Sequence, residues 1–168
     1  MPRSAGWLPV RAAIALATLA VCAHASEVPF KSVPKAVQET ILSRFKEARV
    51  AGAARERGED KKLVYEISLR ENDKNIDVTL TPAGQMITIE KEIARGDLPD
   101  PAAAALNQKF PDAQYGMVET VYKVKAGKET LAYYEARLMD SGKHAWAVEV
   151  AGNGAILNLE KKKGLGED

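Results

Sequence analysis

Few residues in this chain could carry out chemistry. His144, beside Trp146, could serve as a general base or a lone metal ligand. A base needs an oriented nucleophile, and a zinc site needs three or four ligands. No such set adjoins His144 in sequence, so it reads as an ordinary residue at the start of a strand. The pairs Asp73/Asp77 and Glu90/Glu92 could suit a hydrolase or a calcium ion. Glu90 and Glu92 share one strand face and read as solvated, and Glu71-Asn72-Asp73-Lys74 lacks the spacing of a calcium loop. Gly152-Asn153-Gly154 could cradle a phosphate only if a helix followed, and none does; it reads as a tight turn. The one cysteine, Cys22, lies near the N-terminus. We therefore expect no catalytic residue, no metal ligand and no cofactor.

Aromatic and charged residues on a strand face are the better lead. Glu135 and Arg137 alternate with Tyr134, Ala136 and Leu138, so Tyr133, Glu135 and Arg137 point away from the core. Glu66 and Arg70 stand in the same way on an earlier strand, where Val64 matches Tyr133. Tyr and Arg on an open sheet can anchor a protein partner. The same face reads equally well as ordinary solvated surface.

The N-terminus reads as a targeting segment. Arg3 and Arg11 are positive, no acid precedes Glu27, and an apolar run covers Ala12 to Val21. Ala23-His24-Ala25 then offers a signal-peptidase site, which predicts cleavage after Ala25. The run is too short to span a bilayer, which takes about 20 residues. A rival reading places a lipid on Cys22, although Val21 is a poor residue before such a cysteine. Of the chain's 168 residues, 143 would remain after cleavage. Two of its 24 Lys and Arg and none of its 23 acids would be lost, leaving 22 against 23 and a formal net charge of −1. A near-neutral chain of this kind carries no electrostatic footprint for nucleic acid or an anionic membrane. With no cysteine left, the core alone must hold the fold, and this length can bury enough surface to do so. The segment predicts a periplasmic or secreted protein without a membrane span.

The elements that must position these residues recur. Ser32-Val33-Pro34 is followed 65 residues on by Asp97-Leu98-Pro99, with Ile41 matching Leu106 and Phe45 matching Phe110. Tyr65-Glu66 returns as Tyr134-Glu135, Val78 as Val148, Gly84 as Gly154 and Glu90-Lys91 as Glu160-Lys161, at offsets of 69 to 70. Each stretch reads as a helix followed by strands. Ser32 and Asp97 are suited to cap the helices. Val33, Val37, Ile41 and Phe45 form one apolar stripe, and Leu98, Ala102, Leu106 and Phe110 the other. Leu63, Tyr65, Ile67 and Leu69 alternate with polar residues, as do Ile76, Val78 and Leu80. Thr81-Pro82-Ala83-Gly84 and Ala151-Gly152-Asn153-Gly154 read as turns. These patterns predict an α+β fold of two tandem repeats, each one helix plus a four-stranded antiparallel meander, with helices on one sheet face and water on the other. The expected boundaries are 1–25 for the signal peptide, 26–96 and 97–163 for the repeats, and 164–168 for a frayed tail.

These features resemble the PepSY-like family, also described as β-lactamase-inhibitor-like. The residues that carry the likeness are Val33-Pro34 through Phe45, Tyr65-Glu66-Ile67, and Val78 through Gly84. The second set is Leu98-Pro99, Phe110-Pro111, Tyr134-Glu135-Ala136, and Val148 through Gly154. The resemblance implies an exported protein without a catalytic motif that binds or inhibits another protein. We expect a non-enzymatic binding module that uses its open sheet face toward an envelope or secreted protein. The alternative is an envelope accessory that senses a small ligand or ion.

Overall fold

The computed structural model describes residues 26–58 and 60–162; the expected signal peptide, Cys22 and the tail after Lys162 lie outside them. The strands are β1 (Ser26–Glu27), β2 (Arg49–Arg57), β3 (Leu63–Glu71), β4 (Lys74–Leu80), β5 (Met86–Ile93), β6 (Gln114–Lys125), β7 (Lys128–Met139), β8 (Ala145–Val150) and β9 (Ile156–Lys162). Helix α1 (Lys35–Arg44) stands between β1 and β2, and α2 (Asp100–Lys109) between β5 and β6.

The strands do not divide into two meanders. They form one nine-stranded antiparallel sheet in sequence order, which corrects the expected pair of helix-plus-meander repeats. The fold is mostly β, with two helices laid on a single sheet. The reason lies in β5 and β6. Two separate four-stranded sheets would each expose unpaired backbone donors and acceptors at this point. Instead, Thr88 to Ile93 pair in continuous register with Lys123 to Val118, so neither strand is an edge.

Directly paired residues of an antiparallel ladder share a face. Ile89 pairs with Tyr122, Ile93 with Val118, and Val118 in turn with Ala136. The apolar faces of both halves are therefore one face, and both helices cover it. Under α1, Val37 and Ile41 pack with Ile67, Leu69, Val78 and Leu80. Under α2, Ala102, Leu106 and Phe110 pack with Ala136, Leu138 and Val148. Arg44 at the end of α1 also pairs with Glu129 on β7, which ties the first helix to the second half of the sheet.

The helix starts differ from expectation. Neither Ser32 nor Asp97 caps an α-helix. Each closes a short 3-10 turn: the Ser32 hydroxyl donates to the Pro29 carbonyl, and an Asp97 carboxylate oxygen accepts from the Ala94 N–H. The α-helices begin only after Pro34 and Pro99, whose ψ values of 142° and 140° are extended. Proline also steers the residue before it away from helical angles, so no helix can start upstream. The two hairpin turns lie where expected. Gly84 and Gly154 sit there at φ +80° and +88°, and a Cβ at either would lie 2.5 or 2.6 Å from a helix carbonyl oxygen, that of Ala36 or Pro101. Glycine thus serves twice, for the left-handed backbone and for the close approach of turn to helix.

Two stability outcomes follow. Gly84→Ala and Gly154→Ala should each lower stability by about 1–3 kcal/mol in chemical denaturation; unchanged midpoints would mean that the turn and helix can separate freely. Phe45 and Phe110 are not equivalent anchors, because Phe110 is buried against Trp146 at 5.5 Å between ring centroids while Phe45 is only half-buried. Phe110→Ala should cost about 3 kcal/mol or more, and Phe45→Ala clearly less.

Candidate functional site

The face opposite the helices was expected to meet water, with Glu90 and Glu92 solvated. Its register instead stacks acids against acids. Asp77 on β4 pairs with Glu90 on β5. Glu92 on β5 pairs with Glu119 on β6, Glu119 with Glu135 on β7, and Glu135 with Glu149 on β8. This is a ladder of four glutamates across four strands. Like charges placed directly opposite repel, so such a ladder needs compensation.

Arg137 on β7 supplies part of it. Its Nε donates to Glu135 at 3.0 Å, and its Nη2 lies 3.3 Å from Glu119. Glu92 is held separately, accepting from the backbone N–H and side-chain amide of Asn75 at 2.9 and 2.7 Å. Glu119 is the poorly served member: it is 1% exposed, and neither carboxylate oxygen has a hydrogen-bond partner.

The acids of neighbouring strands on this face share one field, and the Arg137 charge acts on Glu66, Asp77 and Glu90. The β2–β3, β4–β5, β6–β7 and β8–β9 ladders each carry a register shift, and a bulge bends its strand and sharpens the local twist. Glu66, Asp77, Glu90 and Glu135 are half-buried here, and Glu119 is buried. Burial, followed by the charges of Asp77 and Glu56, pushes the Glu66 carboxyl up to about 7. Burial and then the Glu135 charge push Glu90 up to about 7. Burial lifts Glu119 to about 8 despite the opposing pull of Arg137, and it raises Asp77 as well.

The expected partner-binding residues are thus distributed unevenly. Glu66, Glu135 and Arg137 lie in this cluster, but Arg137 is engaged within the chain rather than projecting as a free anchor. Tyr133 is half-buried on the same face, paired with Val121, which in turn pairs with Glu90. Arg70 lies at the β3–β4 hairpin, exposed, and donates to Asn75, which in turn donates to Glu92. Sequence reasoning missed Asp77, Glu90 and Glu119 as members of one site. Alternation puts each on the polar face, and nothing short of the strand register places them together. His144 sits in an exposed turn with Nδ1 3.3 Å from Asp140. Asp140 also accepts from Trp146 at 2.9 Å, and that bond holds its carboxyl below the usual range. Among the described residues, no group of three His, Cys, Asp or Glu is arranged to hold a metal ion.

The raised carboxyls make stability depend on pH. Glu66, Glu90 and Glu119 each keep their proton to higher pH in the folded chain than in the unfolded one, where a glutamate titrates near ~4.3. Their contribution is complete below that unfolded value. It is lost as pH rises through about 7 for Glu66 and Glu90 and about 8 for Glu119. The melting temperature should therefore be higher at pH 5 than at pH 8.5. Glu119→Gln should raise it at pH 8.5 and flatten the dependence; a parent protein equally stable at both pH values would contradict the burial of these groups.

No protein-family model matches the chain, and no curated protein sequence matches it. Solved structures do share the fold. A protein from Bacteroides eggerthii provisionally described as periplasmic superposes with a TM-score of 0.61 at 15% identity, over 77% of this chain and 88% of its own. A DUF2874 family protein from Bacteroides uniformis gives 0.60 at 14%, over 76% and 88%. A BLIP-like protein from Bacteroides fragilis gives 0.56 at 13%, over 84% and 92%. At these identities the likeness is one of fold: the chain has the architecture of BLIP-like and DUF2874 proteins.

Proposed function

We propose that this chain is an exported, non-enzymatic binding module that docks on another protein through the polar face of its sheet. The observation that carries the reading is the concentration there of half-buried acids that act on one another's charge around the buried Glu119. Burying carboxylates in this way costs stability, and replacing such groups with apolar ones is often neutral or stabilising. A cost of that kind on the one broad face that no helix covers is readily understood as a binding surface. Tyr133 lies beside the cluster and is of a type enriched at interface centres. Export rests on the Ala23-His24-Ala25 site, and the periplasmic description of a protein with this fold supports it. The BLIP-like fold and the PepSY-like motifs support a protein partner and a binding or inhibitory role.

The alternative, a small-ligand or ion sensor, finds less support. The helix side of the sheet has a cleft of about 290 Å³ between the two cores, lined by Lys91, Thr120 and Tyr122 among others. It falls just below the usual ~300–1,000 Å³ of small-molecule sites.

The experiment is affinity capture from envelope extract followed by titration of the captured partner. Tyr133→Ala should raise the dissociation constant roughly tenfold or more with circular dichroism unchanged. A partner that binds Tyr133→Ala and Glu135→Ala as tightly as the parent would remove the docking face from this side of the sheet.

A further inference from the structure

We propose that the acid cluster of this face is a receptor for a cationic side chain, a lysine or arginine carried on a loop of the partner protein, which pairs with the half-buried Glu66, Glu90 and Glu135 around Glu119. The proposal rests on the docking reading above and adds the chemistry of the contact.

Charge balance is the first support. When ionised, Asp77, Glu90, Glu119 and Glu135 set four negative charges against the single guanidinium of Arg137; protonation of Glu90 and Glu119 makes up the difference at lower pH, so the deficit opens as pH rises through about 7 to 8. Unfilled bonding capacity is the second, independent support. Glu119 is buried, yet both of its oxygens lack a hydrogen-bond partner, and the Arg137 group near it already gives its Nε to Glu135. Carboxylates accept at about four lone-pair sites each, whereas an ammonium brings three donors and a guanidinium five with no acceptor. A second cationic group supplies what the ladder lacks. The carboxylates are not grouped for a metal ion. The acids around Glu119 are half-buried on a sheet face rather than enclosed in a cavity, so the cation arrives on a protein surface.

The groups around Glu119 define a proton exchange. Glu56 from β2, Glu66 from β3, Asp77 from β4 and Glu90 from β5 act on one another, and Glu119, Glu135 and Arg137 act on them from β6 and β7. Glu92 and Glu149 complete the row by register. Burial keeps part of this set protonated near neutrality. An entering cation favours the ionised forms, so each such carboxyl gives its proton to solvent as the cation binds. Binding therefore tightens as pH rises.

The test uses the full mature chain and a fluorescein-labelled tetra-arginine peptide, with a tetra-glutamate peptide as counterpart. Fluorescence anisotropy at physiological salt should show saturable binding of the arginine peptide at pH 8, at least fivefold weaker binding at pH 6, and none of the glutamate peptide. Calorimetry at pH 7 in phosphate and in Tris should show net proton release. Glu90→Gln combined with Glu119→Gln should weaken binding at least tenfold. Glu39→Gln combined with Glu47→Gln, which removes the same charge from exposed positions, should leave it unchanged. Absence of saturable binding at pH 8, equal affinity at both pH values, or binding that survives Glu90→Gln with Glu119→Gln overturns the proposal. A captured partner sensitive to Tyr133→Ala but indifferent to those two Gln substitutions would leave the docking reading standing and remove only the cationic contact.

Discussion

The ladder between β5 and β6, from Thr88–Lys123 to Ile93–Val118, is the constraint on which the remaining structure depends. It joins the two helix-covered cores into one apolar face, so that α1 and α2 lie on the same side of a common sheet. By the same register it sets Glu92 opposite Glu119 and Glu90 opposite Val121, and so carries the acids of the first half into the field of Arg137 in the second. Neither half has this polar cluster alone: Glu66, Asp77 and Glu90 come from one side of the join, and Glu119, Glu135 and Arg137 from the other.

The two faces of the sheet are stabilised by opposite means. Under the helices, Val37, Ile41, Ala102 and Leu106 close over β-branched and leucine side chains with no polar atom to satisfy. On the other face, Glu119 is as well hidden as those residues but ionisable, and its single ion pair is shared. A sheet selected for stability alone would carry Gln or an apolar residue there, since a buried carboxylate is costly unless fully paired. The energy invested in the first face is what allows the second to keep such a group.

Much of the first face was legible in the sequence, and little of the second. The stripes Val33-Val37-Ile41 and Leu98-Ala102-Leu106-Phe110 state their burial through a period of four, and Gly84 and Gly154 mark their turns because only glycine suits that backbone beside a helix. The helix starts were misread because Ser32 and Asp97 are good caps for either kind of turn, and the prolines after them decided the matter. The merging of two expected sheets into one was not legible, since β5 and β6 look alike as edge or interior strands until a partner is chosen. The acid cluster escaped for the same reason. Glu90, Glu119 and Glu135 are ordinary alternating polar residues along the chain, and they become one cluster only once the register is fixed.

Strand order along the sheet, β1 through β9, is also the order of the chain. A growing or translocating polypeptide that emerges N-terminus first would meet, at each stage, an already formed edge waiting for the next strand. Loop closure is then short at every step except where a helix intervenes, and short closures favour fast folding. The sheet can be assembled like a row of courses laid side by side, with α1 released before the β3 and β4 strands it covers and α2 before β7 and β8. Until β6 arrives, β5 is a bare edge, so the interval taken to release α2 is the period of greatest exposure to wrong pairing. Substitutions that delay α2 would show their effect in the yield of folded protein more than in its final stability.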